Sequence, residues 1–75
     1  MTLYHGTNRR IANLKPESYL SADIMDAVFF AENKGGGSVY QFEVNESDVY
    51  RDTGTMSKEW YLSCKKSKPV KVICV

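Results

Sequence analysis

The feature that most constrains this chain is its shortness, because 75 residues must supply a complete hydrophobic core. Chains of this size lie near the lower limit for independent folding, and few of their residues are spare for long loops. Hydrophobic residues make up 43% and aromatic residues 12% of the sequence. This composition is typical of an ordered protein. We therefore expect one compact domain over residues 1–75.

Charge and cysteine content narrow the class of protein further. Ten Lys and Arg residues against nine Asp and Glu residues give a net charge of +1, so no overall field attracts the chain to nucleic acid or anionic lipid. No apolar stretch approaches the roughly 20 residues that span a bilayer, and the N-terminus lacks the features of a secretory signal. We expect a cytoplasmic protein without membrane association.

Cys64 and Cys74 do not form a zinc site with the single histidine. We interpret them as reduced core residues, and a disulfide closing a short hairpin is the alternative.

Hydrophobic periodicity predicts an α+β fold with one main helix and a small, mainly antiparallel sheet. A helix is expected over residues 22–32, with Ser21 as its N-cap and one broad apolar face. The residues of this expected face are Ile24, Met25, Val28, Phe29 and Ala31.

The predicted strands cover residues 2–5, 19–20, 38–44, 59–64 and 70–75. In the third of them, Tyr40, Phe42 and Val44 alternate with polar residues, which predicts one buried face. Residues 8–18 are interpreted as a helical turn or a loop. Residues 45–58 are polar and are expected to form a functional loop or a partly structured connection.

Three groups of residues have the chemistry of a functional site. His5 at the end of a strand offers an imidazole, and Gly6 beside it offers backbone that a ligand can approach closely. Tyr19 before the helix and Phe30 near its end could face each other across a slot for a flat ring. Glu59 at the start of a strand could accept a hydrogen bond from a sugar hydroxyl or stabilise a cationic transition state.

Each group also has a purely structural interpretation. His5 could be an ordinary surface or core histidine. Phe29 and Phe30 could both pack in the core, with Tyr19 covering it. Glu59 could simply be an acidic residue that precedes a strand.

Taken in order, these groups resemble the ADP-ribosyltransferase superfamily of the diphtheria-toxin and poly(ADP-ribose)-polymerase type. That branch is marked by a His–Tyr–Glu triad on three separate strands. The matching pieces are Tyr-His-Gly-Thr at 4–7, Tyr-Leu-Ser at 19–21, an Ala-x-x-Phe-Ala helix segment at 27–31, and Glu-Trp at 59–60. The resemblance implies a minimal form of that fold, with NAD as the substrate.

The resemblance also implies how NAD is bound. His5, Gly6 and Thr7 would form the NAD-binding strand end. The His5 imidazole would contact the adenine-side ribose, and the Gly6 backbone would pair with the nicotinamide carboxamide. Tyr19 would stack on the nicotinamide ring, and Phe30 would close the other face of the slot.

The implied catalytic residues are His5, Tyr19 and Glu59. Glu59 would hydrogen-bond the 2′-hydroxyl of the nicotinamide ribose and stabilise the oxocarbenium-like state as nicotinamide leaves. An anion beside developing positive charge in a water-poor slot provides the required electrostatics.

The implied function is NAD-dependent transfer of ADP-ribose to a macromolecular acceptor, and we expect a protein as acceptor, since nothing indicates nucleic acid. Such a small enzyme would suit a phage or mobile-element effector, acting as a monomer or as a homodimer that completes its site.

The chain is much shorter than the family's catalytic domains, which leaves two alternatives. One is a catalytically inactive protein-binding or inhibitory module on the same scaffold. The other is an NAD glycohydrolase or an RNA 2′-phosphotransferase, and Arg9 and Arg10 after the His-Gly-Thr turn are relevant to the latter.

Overall fold

The computed structural model describes residues 1–33, 35–51 and 60–74. Its fold is the predicted α+β arrangement, an antiparallel sheet of six strands with one α-helix in the described residues. The elements are β1 (Thr2–Thr7), β2 (Tyr19–Ser21), α1 (Ile24–Asn33), β3 (Ser38–Glu43), a 3-10 helix (Glu46–Asp48), β4 (Val49–Arg51), β5 (Trp60–Ser63) and β6 (Lys71–Cys74). No helix within these ranges is both long enough and apolar enough to cross a membrane.

The strand order is β4-β5-β2-β1-β3-β6, and every neighbouring pair is antiparallel. β1 lies inside the sheet and pairs with β3 along its whole length, from Thr2 opposite Glu43 to Thr7 opposite Ser38. One of the two interpretations of residues 45–58 was a partly structured connection. Residues 45–51 agree with it, since they contain the 3-10 helix and β4. The rest of that segment, 52–58, lies outside the described residues.

The main core lies on one face of the sheet, which we call the loop face because the segment 8–18 covers it. Leu3, Leu20 and Phe42 are fully buried there. The predicted burial of Tyr40, Phe42 and Val44 on one face of the strand is confirmed. The covering segment is irregular rather than helical. Its Leu14 is buried in the core and exchanges two backbone hydrogen bonds with Ser67, of 2.7 and 3.1 Å. These bonds join the loop to the connection between β5 and β6.

The opposite face, the helix face, carries α1. Ala27 and Ala31 are the buried residues of the helix. The predicted apolar face is confirmed at Ala31 and wrong at Met25 and Phe29, whose side chains are 65% and 63% exposed. The physical reason lies in β1, where Gly6 has no side chain. Small residues on both elements let the helix backbone approach the strand closely, which turns the bulky apolar side chains away from the sheet.

The helix begins two residues later than the predicted N-cap would require. Asp23, not Ser21, occupies the capping position, because its Oδ1 accepts a hydrogen bond of 2.9 Å from the Met25 N–H. Ser21 is fully buried, and its Oγ accepts a 3.1 Å hydrogen bond from the Asp23 N–H. Ser21 therefore shapes the turn into the helix, while the carboxylate of Asp23 caps it and also suits the helix dipole.

Two glycines end the helix in a Schellman motif. The Gly36 N–H donates to the Ala31 carbonyl at 3.1 Å, and the Gly35 N–H donates to the Glu32 carbonyl at 3.0 Å. Gly35 has a φ of +97°, a conformation that costs little only in glycine. The observed end of the helix at Asn33 is one residue beyond the predicted end.

Both cysteines are free and exposed, so their interpretation as core residues is wrong. Cys64 follows the end of β5, and Cys74 lies on β6 opposite Ser38. Because β6 is an edge strand, its residues have less neighbouring structure to bury them than those of β1 or β3.

Candidate functional site

In the centre of the sheet, the pairing of two neighbouring strands stops after one residue pair. Register pairing between β1 and β2 is limited to Tyr4 opposite Ser21. Continuing this register would place Gly6 opposite Tyr19, but the ladder does not continue that far. We call this place the β1–β2 fork, formed by His5 and Gly6 on one strand and by Tyr19 on the other. Strands that separate inside a sheet leave backbone polar groups in a position to pair with a ligand.

The His5 imidazole provides a link across the fork. Its Nδ1 lies 2.7 Å from the backbone carbonyl oxygen of Tyr19. A carbonyl only accepts hydrogen bonds, so we assign the hydrogen to Nδ1, and Nε2 of the neutral ring is left as an acceptor. Burial lowers the pKa of His5 below its usual value, and the hydrogen bond to Tyr19 opposes this shift only in part. At neutral pH the ring is uncharged and can accept a hydrogen bond from a hydroxyl group.

The lowered pKa of His5 predicts an acid-sensitive stability. The unfolded chain has a histidine pKa of about 6.5. At pH values between the lowered pKa of the folded state and about 6.5, the unfolded state binds more protons than the folded state. The free energy of unfolding therefore rises with pH in that range. We expect wild type to lose stability as the pH falls below about 6.5, and His5→Gln to show a flatter profile. Urea midpoints across this pH range measure the difference, and identical profiles for the two proteins would refute it.

Gly6 is buried under the helix. A Cβ built on Gly6 overlaps the carbonyl oxygen of Ala27 and lies 2.9 Å from its carbonyl carbon and 3.2 Å from the Ala31 nitrogen. The glycine is therefore required by helix packing, whatever else it does. A ligand cannot approach Gly6 from the helix side, so access to its backbone is restricted to the fork itself.

An aromatic cluster lies on the helix face beside the fork. The rings of Tyr19 and Trp60 are 6.1 Å apart at 90°, and those of Phe30 and Trp60 are 6.4 Å apart at 62°. Tyr19 and Phe30 are 45% and 42% exposed, so the alternative in which Phe29 and Phe30 fill the core is wrong. The sequence-based interpretation assigned no role to Trp60, although its ring meets both partners of the expected slot. Trp60 is placed there by the pairing of β2 with β5, in which it lies opposite Ser21, and no local sequence pattern shows this pairing.

The imidazole and the aromatic cluster flank the fork from opposite faces of the sheet. Leu20 belongs to the core on the loop face, and His5 is paired with Tyr40 of the same core. Side chains alternate along a strand, so the ring of Tyr19 leaves β2 on the helix face, where it contacts Trp60. The Tyr19 carbonyl, which accepts the His5 hydrogen bond, connects the two sides.

Two other predicted site residues have different outcomes. The Thr7 hydroxyl accepts a 3.1 Å hydrogen bond from the Arg9 N–H, which shapes the turn after β1. Glu59 lies outside the described residues, so its place in the site stays a prediction. Trp60, the next residue in the chain, is the first residue of β5, and the strand order puts β5 beside β2.

These features define the protein as a small α+β domain with a fork in its sheet, flanked by a neutral histidine and a half-exposed aromatic cluster. Comparison with protein-family models, curated proteins and solved structures found no match. Function is therefore argued from the chemistry of these residues.

Proposed function

We propose that the protein is an NAD-dependent ADP-ribosyltransferase in which the β1–β2 fork receives the nicotinamide riboside of NAD. The observation that supports this most is the 2.7 Å hydrogen bond from His5 to the Tyr19 carbonyl, at the point where the ladder stops. This bond joins the imidazole to the backbone of Tyr19 beside Gly6, and the ring of Tyr19 lies on the opposite face of the sheet. These are the groups that the sequence resemblance assigns to NAD binding.

The fork matches the parts of the ligand in chemical terms. The nicotinamide ring of NAD is a flat pyridinium cation that can stack on an aromatic ring, and the cluster of Tyr19, Phe30 and Trp60 offers half-exposed aromatic surface. The carboxamide of nicotinamide has one donor side and one acceptor side, which suits the backbone of a separated strand such as Gly6. Nε2 of His5 accepts a hydrogen bond from a ribose hydroxyl in the neutral state that its lowered pKa favours.

The proposed reaction breaks the bond between nicotinamide and C1′ of the ribose. The bonding electron pair leaves with nicotinamide, and positive charge develops on C1′ and the ring oxygen. The Glu59 carboxylate accepts the 2′-hydroxyl hydrogen bond and stabilises that charge. A nucleophile of the acceptor then bonds to C1′ and loses its proton. We propose that the acceptor is a protein in the cytoplasm. The enzyme acts on it as a monomer or a homodimer and serves as a phage or mobile-element type of effector.

The exposed apolar residues of α1 favour a second candidate function. Met25 and Phe29 are among the most exposed large hydrophobic side chains of the described residues. Such side chains are typical of a protein-binding surface. The alternative is thus a catalytically inactive binding or inhibitory module. A complex with a target protein that survives both His5→Ala and Glu59→Ala would favour this alternative over the enzyme.

The proposed binding mode predicts a ligand-induced increase in thermal stability. A ligand at a hundredfold excess over its Kd stabilises the native state by about 2.7 kcal/mol, which raises the Tm of a domain this small by about ten degrees. We expect NAD to produce such a shift in wild type and a much smaller one in Tyr19→Ala. Tyr50→Ala is the matched control, since Tyr50 is equally exposed but lies on the edge strand β4. A wild type insensitive to NAD, or equal shifts in both variants, would argue against the fork as the NAD site.

A further inference from the structure

A second candidate binding site lies away from the aromatic cluster, between the turn after β1 and the edge strand β6. It is a cavity of about 500 Å³. Its lining includes Arg9, Arg10, Ile11, Ser38, Tyr40 and Val72. This volume falls in the range of roughly 300–1,000 Å³ that is typical of small-molecule sites. We call it the arginine cavity.

The charge of the arginine cavity points to an anionic ligand. Arg9 and Arg10 both belong to its lining, and no acidic residue does among the residues that the structure describes. The whole chain has a net charge of only +1, so this is a local concentration of charge. Paired guanidinium groups are well suited to phosphate, because each can donate two parallel hydrogen bonds to its oxygens.

The turn that carries the two arginines is fixed at both ends. The Arg9 N–H donates to the Thr7 hydroxyl at 3.1 Å, and the Ile11 N–H donates to the Tyr40 hydroxyl at 3.1 Å. Tyr40 is only 4% exposed and is held in the core. The backbone of the turn is therefore ordered before a ligand arrives, which lowers the entropic cost of binding.

Gly37 contributes main-chain atoms to the wall of the cavity. Its φ is +150°, and a Cβ built on it overlaps the Thr7 carbonyl oxygen and lies 2.7 Å from the Asn8 Cα. The end of β1 and the start of β3 thus contact each other main chain to main chain. Ser38 follows immediately and belongs to the lining, as a hydroxyl donor beside the arginines.

We propose that the arginine cavity binds the phosphate of a ligand of nucleotide size. Arg9 and Arg10 hold the phosphate, and the apolar side of the cavity, from Ile11 and Val72, packs against the attached sugar or base. The phosphate belongs either to a free mononucleotide or to NAD, and the experiment below separates the two. The site uses none of the aromatic cluster, so it does not rest on the proposed function.

The test is an NMR titration of the ¹⁵N-labelled protein at one fixed, low ionic strength. AMP, inorganic pyrophosphate, NAD and adenosine are the probes. We expect AMP and pyrophosphate to shift the amide signals of Arg9, Ile11 and Ser38 saturably, and adenosine to bind about tenfold more weakly. If NAD shifts the same amides, its phosphates occupy the cavity. If AMP does so and NAD does not, the cavity is a separate mononucleotide site.

Two double variants test whether Arg9 and Arg10 are responsible for the binding of AMP. The double variant Arg9→Gln, Arg10→Gln is expected to bind AMP about tenfold more weakly, with an otherwise native spectrum. Lys66→Gln, Lys68→Gln removes the same charge from exposed positions outside the cavity and is expected to change binding by less than about twofold. Equal weakening in both double variants, or no shift at these amides with AMP and pyrophosphate, would overturn the proposal. AMP binding in a protein that releases no nicotinamide from NAD would refute only the proposed function.

Discussion

The Gly6→Ala variant is expected to lose about 3 kcal/mol or more of unfolding free energy. The added methyl group meets main-chain atoms of Ala27 and Ala31 rather than a flexible side chain, so α1 must move away from the sheet. The helix packs on the sheet through these two alanines, and its displacement would expose the fully buried Val39 of β3. A domain of this size has a stability of only about 3–5 kcal/mol, so a large unfolded population is expected at room temperature. Urea denaturation followed by circular dichroism measures the loss.

The matched control for this variant is Gly36→Ala. Gly36 has a φ of +93°, but a Cβ built there meets no atom within 4 Å. Its replacement therefore costs only the unfavourable backbone conformation, about 1 kcal/mol. Gly6 is not among the glycines with positive φ, so its variant isolates the steric effect. A Gly6→Ala protein as stable as Gly36→Ala would contradict the close approach of helix and strand.

The Glu59→Gln variant is expected to release nicotinamide from NAD at least about 100-fold more slowly than wild type. Glutamine has nearly the same shape but cannot place a negative charge beside the developing oxocarbenium ion. The rate effect should appear without a comparable loss of NAD affinity, because the aromatic cluster and His5 contribute most of the proposed binding contacts. Single-turnover nicotinamide release gives the rate, and the NAD-induced increase in Tm reports binding separately.

Glu46→Gln is the control for that measurement. Glu46 begins the 3-10 helix and also carries an exposed carboxylate, so its variant removes the same charge elsewhere in the chain. It should react at the wild-type rate. Equal rates in wild type, Glu59→Gln and Glu46→Gln would remove Glu59 from the mechanism, and an absence of release in all three would favour the binding module.

Five of the six strands and the helix were predictable because their signals are local, whereas β4 lies in a segment for which no strand was predicted. The alternation of buried Tyr40 and Phe42 with Gln41 fixes β3 to within a residue of its observed end. The start of the helix was misplaced because two good capping residues, Ser21 and Asp23, lie close together. Sequence alone does not show which of them faces the first free N–H groups.

The parts that sequence could not provide depend on distant contacts. Burial of Ala27 in place of Phe29 follows from the position of Gly6 under the helix, 21 residues earlier in the chain. The fork depends on where the register of β1 and β2 ends, and no local pattern encodes that point. The family resemblance nevertheless assigned His5 and Tyr19 to one site, and in the structure the His5 imidazole is hydrogen-bonded to the Tyr19 carbonyl.

Whether the fork receives a nicotinamide ring can be measured through Trp60, which is the only tryptophan in the chain and contacts both Tyr19 and Phe30. Fluorescence is followed during titration with NAD and with nicotinamide, and free N-acetyltryptophanamide corrects for absorption and collisional quenching. Saturable quenching by both compounds, weakened about tenfold in Tyr19→Ala, is the expected result. Quenching that stays linear and equals that of the free tryptophan derivative would contradict a nicotinamide site at the fork.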